Sequence, residues 1–229
     1  MKIEKKANPS PKDSAIYRID RGVGFNARVE PFWYTFERLA PRLGFVERWR
    51  DKRRLRKVGS EMNEQLEKQG VEGVDWEAQE GGCVCNLRVA KGGLVWELQN
   101  CLTSLGGAGS DKKWPHLMAH QDQTFYLLPA EFEDPFELEI VANGKPIGVG
   151  SAVKLSRELE KVNELLRVEE TFALAKLKKV DFLDATEKDI SLYEARLAFT
   201  DQFWPMFSYV MMRKLSDTCV EKNLPVIFA

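Results

Sequence analysis

Residues 136–151, FELEIVANGKPIGVGS, constrain the fold more than any other stretch of this chain. FELEIVA alternates apolar and charged side chains, the period of a strand with one buried face. Asn143-Gly144 follows, and that pair readily adopts the positive φ angles of a tight hairpin turn. The return arm carries Pro146, which cannot donate a ladder hydrogen bond, so it is predicted as an edge or a bulged strand. Ser151 then caps a helix whose stripe is Leu155, Leu159, Val162 and Leu166. A hairpin feeding a helix predicts an α+β fold: helices flanking a small, mostly antiparallel sheet.

The rest of the chain can be read around that unit. Residues 1–14 hold two prolines and several lysines and are expected to form a mobile tail. Residues 15–29 alternate weakly, as a strand or an irregular lead-in. Pro31 is predicted to open a helix with Phe32, Phe36, Leu39 and Leu43 on one stripe, interrupted by Pro41 and Gly44. A long charged helix follows over 45–68, with a thin apolar face of Phe45, Trp49, Leu55, Val58, Met62 and Leu66; Gly59 is its weak point. CVCNLRVA (83–90) reads as a strand, and residues 94–105 read as a helix. HLMAH (116–120) and TFYLLP (124–129) are predicted as two strands around a polar loop, Gln121 to Gln123. Residues 172–183 are ambiguous. A helix is predicted from Thr186 to about Glu221, kinked at Pro205, with an apolar run at 199–212 that must be central and buried. LPVIFA (224–229) is a short strand that needs a sheet to join. The expected division is a tail over 1–14, a helical segment over 15–70 and an α+β core over 71–229.

Composition excludes several classes. With 34 basic and 35 acidic residues the net charge is −1, so no global field draws nucleic acid or an anionic membrane, and any such binding needs a local patch. No run approaches 18 apolar residues, so no spanning segment and no membrane partner are expected. Four cysteines are too few for a disulfide framework, which points to a reducing cytoplasm. Cys83 and Cys85 are read as strand residues packing in the core.

The two histidines, His116 and His120, stand four apart with Asp122 close behind. On a helix the histidines share a face. On a strand they lie roughly 13 Å apart, and only His120 and Asp122 remain neighbours. Neither geometry brings all three to one ion. A metal site at His116, His120 and Asp122 is therefore the alternative, and histidines within a sheet or at a recognition edge the leading reading; no cofactor is expected. The glycine run 144–151 matches neither a phosphate-loop nor a dinucleotide pattern. RWRDKRRLRK (48–57) is the one basic cluster, and Arg50, Arg53, Arg54 and Lys57 are candidate contacts for a partner.

The segment WPHLMAHQDQTFYLLPAEFEDPF (114–136), followed by GVGSAVKLSRELEKVNELL (148–166), resembles an uncharacterised bacterial domain family. The likeness lies in His120 and Asp122, in the arm Tyr126, Pro129 and Phe132, and in Gly150 with Ser151. It covers the C-terminal half and implies no established activity, but it favours a binding role. The expected function is a non-enzymatic, protein-binding protein of the bacterial cytoplasm, of the immunity or accessory type, with His116, His120, Asp122 and Tyr126 on its surface beside the basic cluster. The alternatives are a metal-dependent enzyme centred on His116, His120 and Asp122, and nucleic-acid binding through 48–57.

Overall fold

Along the chain the computed structural model places β1 (Phe25–Val29), α1 (Phe45–Lys68), β2 (Cys85–Val89), α2 (Leu94–Gly106), α3 (Ser110–Lys113), α4 (Pro115–Met118), β3 (Phe125–Leu128), β4 (Phe136–Ala142), β5 (Lys145–Ser151), α5 (Ala152–Leu166), α6 (Phe203–Lys222) and β6 (Val226–Phe228). The structure describes residues 25–34, 44–89, 93–106, 110–120, 124–142, 145–168 and 203–228. The strands form one six-stranded sheet in the order β2-β1-β6-β3-β5-β4. Only β3 and β5 run parallel; the other neighbours are antiparallel. The fold is the α+β arrangement expected, with helices flanking a mostly antiparallel sheet.

Both faces of the sheet are covered. In β3, Phe125 and Leu127 enter one core while Tyr126 and Leu128 enter the other, as the two-residue period requires. In β6, Val226 and Phe228 join the first core and Ile227 the second. That double burial explains why FYLL and VIF are continuously apolar. On the first face lie α2, α5 and α6, contributing Leu98, Leu102, Leu155, Leu159, Val162, Met211, Met212 and Leu215. On the second lies α1, through Leu55, Val58, Met62 and Leu66, joined by Phe32, Trp33, Trp76 and Phe132 from outside the regular elements.

Several expectations need correction. HLMAH is not a strand: residues 115–118 form the short helix α4. Pro115 takes the first helical position, and the buried Glu158 carboxylate accepts the first-turn N–H groups of His116 and Leu117, which have no partner within the helix. That acceptor comes from α5, far along the chain, so no local pattern reveals it. Consequently β3 pairs with β5 and β6 rather than with its sequence neighbour. The β5 arm lies inside the sheet rather than at an edge, where β4 stands; the bulged alternative agrees with the β4–β5 pairing, which shifts register between Leu138 and Val141, opposite Pro146. Phe45 and Trp49 leave the buried stripe of α1 and stand exposed. Gly59 is a packing device rather than a weak point. The Trp76 indole N–H donates to the Gly59 carbonyl at 3.1 Å and to Asn63 Oδ1 at 2.9 Å, and a Cβ on Gly59 would sit 2.8 Å from the Trp76 ring. Phe32 and Trp33 lie in a turn. The tail, most of the Pro31 helix, Asn143-Gly144, Asp122, and residues 172–183 and 186–202 fall outside the described residues. The described part of helix α6 runs over Phe203–Lys222 and includes Pro205.

Candidate protein-binding site

Between β3 and β4 the chain crosses the surface as an arm, residues 129–135. Its backbone is fixed from three elements. Ser151 Oγ donates to the Ala130 carbonyl at 2.7 Å and accepts the Lys154 N–H at 3.1 Å, so one hydroxyl caps α5 and holds the arm. His116 Nδ1 accepts the Ser151 N–H at 3.0 Å, which leaves the imidazole proton on Nε2 to donate to the Glu133 carbonyl at 3.0 Å. Gln69, at the end of α1, accepts the Asp134 N–H and donates to the Asp134 carbonyl. Phe132 anchors the arm from below, its ring 5.6 Å from His116 and 5.4 Å from Phe136.

Behind this lock sits Glu158. Its carboxylate is buried and caps α4 through N–H bonds of 3.0 and 2.9 Å. Burial outweighs those bonds and pushes its carboxyl up to about 7. Burial also lowers His116, and the Ser151 N–H donated to Nδ1 requires that ring to be neutral. Gly150 allows the close approach beneath: a Cβ there would stand 3.0 Å from Phe125 and 3.1 Å from Leu127.

What the arm and the strand β4 that follows it display is acid. Glu131, Glu133, Asp134, Glu137 and Glu139 are all exposed. Arg157 pairs with Glu131, and Lys154 with Glu133, holding both carboxyls below the usual range. The Glu139 N–H donates to the Glu61 carboxylate of α1, which adds another acid at the β4 edge. Glu137 and Glu139, two apart along a strand, lie roughly 7 Å from each other. Sequence reasoning missed this surface, although five acids in the nine residues 131–139 were its signal.

The candidates read from the sequence are dispersed. His116 is buried at the lock. His120 is buried elsewhere, its ring 5.0 Å from Phe125 and 4.4 Å from Phe228, and burial lowers it to about 4. The structure therefore does not bring the two imidazoles together, and among the described residues no group of three His, Cys, Asp or Glu side chains could hold a metal ion. Tyr126 is fully buried, 5.8 Å from the Phe32 ring. Arg50, Arg53 and Lys57 are exposed on α1 and Arg54 is half-buried. Cys83 is exposed rather than in the core, and Cys85 is half-buried, where burial raises its thiol. No described helix is long and apolar enough to cross a membrane.

Charge divides along the chain. Residues 1–91 carry 19 basic and 14 acidic side chains, whereas residues 92–228 carry 15 basic and 21 acidic, a net of −6. No curated protein and no solved structure matches the chain. A family profile described as "Putative DNA-mimic protein" matches residues 92–228, the stretch that contains His116, Ser151 and Glu158, the acidic arm and the acidic surplus. The chain belongs to this family.

Proposed function

We propose that the protein binds a DNA-binding protein and occupies the surface that DNA would take, offering carboxylates where DNA offers phosphates. Family membership carries this reading. It overturns the function drawn from the sequence: the immunity-type or accessory role gives way to DNA mimicry, and the enzyme and nucleic-acid alternatives are dropped. A protein partner remains compatible, and mimicry needs no catalytic group.

The acidic arm is the face we assign to it. A DNA-binding surface is basic and recognises phosphates by ion pairs and by released counterions. Asp134, Glu137 and Glu139 present carboxylates on a backbone pinned at both ends, so little ordering is lost on binding. In this reading Tyr126, Pro129, Phe132, Gly150 and Ser151 are the framework that holds the arm, rather than contacts.

The test uses a partner isolated from an extract of the source organism on the intact protein. Duplex DNA should displace that partner, and raising salt should weaken the complex steeply. The triple variant Asp134→Asn, Glu137→Gln, Glu139→Gln should weaken it roughly 100-fold, since each lost ion pair is worth about 1 kcal/mol. A partner that holds duplex DNA and this protein together would sink the reading.

A further inference from the structure

The first turns of α1 carry the most exposed large apolar side chains among the described residues. Phe45 is 84% exposed, Val46 70% and Trp49 59%. At about 100° per residue they share one sector of the helix, turned away from the buried Leu55, Val58 and Met62. Arg50, Arg53 and Lys57 rise from the same side, and the Arg53 guanidinium lies 5.5 Å from the Trp49 ring centre. Arg50, Arg53 and Lys57 form no ion pair among the described residues, and Lys52 makes none either, but it lies in the field of the Glu77 carboxylate that pairs with Arg56. The acids of these turns do not oppose them: the Glu47 carboxylate is turned back onto the Gly44 N–H, and Asp51 is buried.

The patch is apolar, cationic and highly exposed, and those three properties select its occupant. Its sign is opposite to the arm's, so it cannot enter the basic surface of a DNA-binding protein. A second copy presenting the same face would set cations against cations. A second copy's acidic arm supplies charge, but its Phe132 is buried and it offers no exposed large apolar side chain to cover Phe45 and Trp49.

We propose that this face docks on an anionic lipid bilayer, with Phe45, Val46 and Trp49 entering the interface and Arg50, Lys52, Arg53 and Lys57 meeting lipid phosphates. A bilayer interface accepts protruding apolar side chains without a matching groove, and Arg and Lys add attraction to anionic headgroups. The expectation of no membrane partner rested on the lack of a spanning segment, which surface docking does not need. The proposal is independent of the carboxylate arm and stands or falls apart from DNA mimicry.

The experiment is vesicle flotation of the full chain. Vesicles of phosphatidylcholine with phosphatidylglycerol at roughly 2:1 should bind it about tenfold better than phosphatidylcholine alone, and added salt should weaken the effect. The double variant Phe45→Ser, Trp49→Ser should lose about tenfold in partitioning. The double variant Arg50→Gln, Arg53→Gln should lose the preference for anionic vesicles. Circular dichroism should show native helix content in both, because none of the four residues belongs to the buried stripe. No flotation, or flotation indifferent to both variants, overturns the proposal. So does tighter binding of duplex DNA or polyglutamate than of anionic vesicles, which would identify a different occupant.

Discussion

The two faces of the sheet are closed by different means. On one, α2, α5 and α6 interdigitate periodic stripes of Leu, Val and Met around Phe125, Leu127 and Phe228. On the other, a single helix supplies four apolar side chains, and the remaining cover comes from Phe32, Trp33, Trp76 and Phe132, which lie in turns and loops. The first face is a layer of helices. The second is one helix stapled by aromatic rings and by polar bonds such as Asn63 to the Val74 backbone, at 2.9 and 3.0 Å. A face enclosed by several helices leaves little room to collapse around a deletion. A face closed by one helix and loops can shift.

That difference predicts unequal costs for equal deletions. Leu159→Ala on the three-helix face should lose roughly 3–5 kcal/mol, and Leu66→Ala on the α1 face nearer 2–3, because the cavity term depends on how far the surroundings relax. Urea unfolding of both variants measures it. Equal losses would break the comparison.

The polar lock between the faces adds a pH dependence. The raised Glu158 means that folding takes up a proton there. Its contribution is fully present below pH 4.5 and is lost as pH rises through about 7, a change of about 3 kcal/mol. His120 acts in the opposite sense: lowered to about 4, it contributes above pH 6.5 and is lost as pH falls toward 4, again by up to about 3 kcal/mol. The two slopes oppose each other and nearly cancel between about pH 4.5 and 6.5, so the pair should leave stability almost flat there. Glu158→Gln should unmask a rise in stability from about pH 4 to 6.5, and His120→Leu a fall from about pH 4.5 to 7. Denaturant titrations between pH 4 and 8 check this, and a variant whose profile stays flat would show that its group was wrongly assigned.

The same contrast decides what was legible beforehand. Leu155, Leu159 and Val162 repeat at helical spacing and Ser151 caps them, so α5 could be read directly. The 45–68 helix was equally plain, and β4 announced itself by alternation. The failures have one cause, dependence on remote partners. Residues 115–118 become helical because Glu158 reaches them from 41 and 42 positions away. His116 is spent on Ser151 and Glu133, which no spacing rule connects to it. Trp76 and Phe132 belong to no periodic element, so their place in the second core was invisible. The acidic arm was overlooked for a different reason: the basic N-terminal half nearly cancels its charge in the total.

Gly59 tests the aromatic staple at smaller scale. Ala favours a helix over Gly by about 1 kcal/mol. Here the added Cβ meets the Trp76 ring at 2.8 Å, and that ring is fixed by its bonds to Gly59 and Asn63. Overpacking costs roughly 1–3 kcal/mol, so Gly59→Ala should be a net loss of up to about 2. Trp76→Phe, which removes the indole N–H that tethers the ring and lets it give way, should make Gly59→Ala nearly neutral in a double-mutant cycle. A stabilising Gly59→Ala in the unaltered chain would show that Trp76 is free to move.

The smallest effect belongs to the first turns of the same helix. Phe45 and Trp49 already expose most of their surface, so replacing them with Ser forfeits little apolar burial. Ser, Phe and Trp differ little in helix propensity. The main loss is the contact between Arg53 and Trp49, worth about 0.5–1 kcal/mol at an exposed site. Phe45→Ser with Trp49→Ser should therefore change stability by no more than about 1 kcal/mol in urea unfolding. Met62→Ala, about four turns further along α1 and fully buried on the same face as Leu66, should cost roughly 2–3. One helix would then show both regimes, its later turns bound to the sheet and its first turns left for a partner. A loss above about 2 kcal/mol in the Ser double variant would mean that the free chain already covers this face, and the division of α1 into a packed part and a docking part would fail.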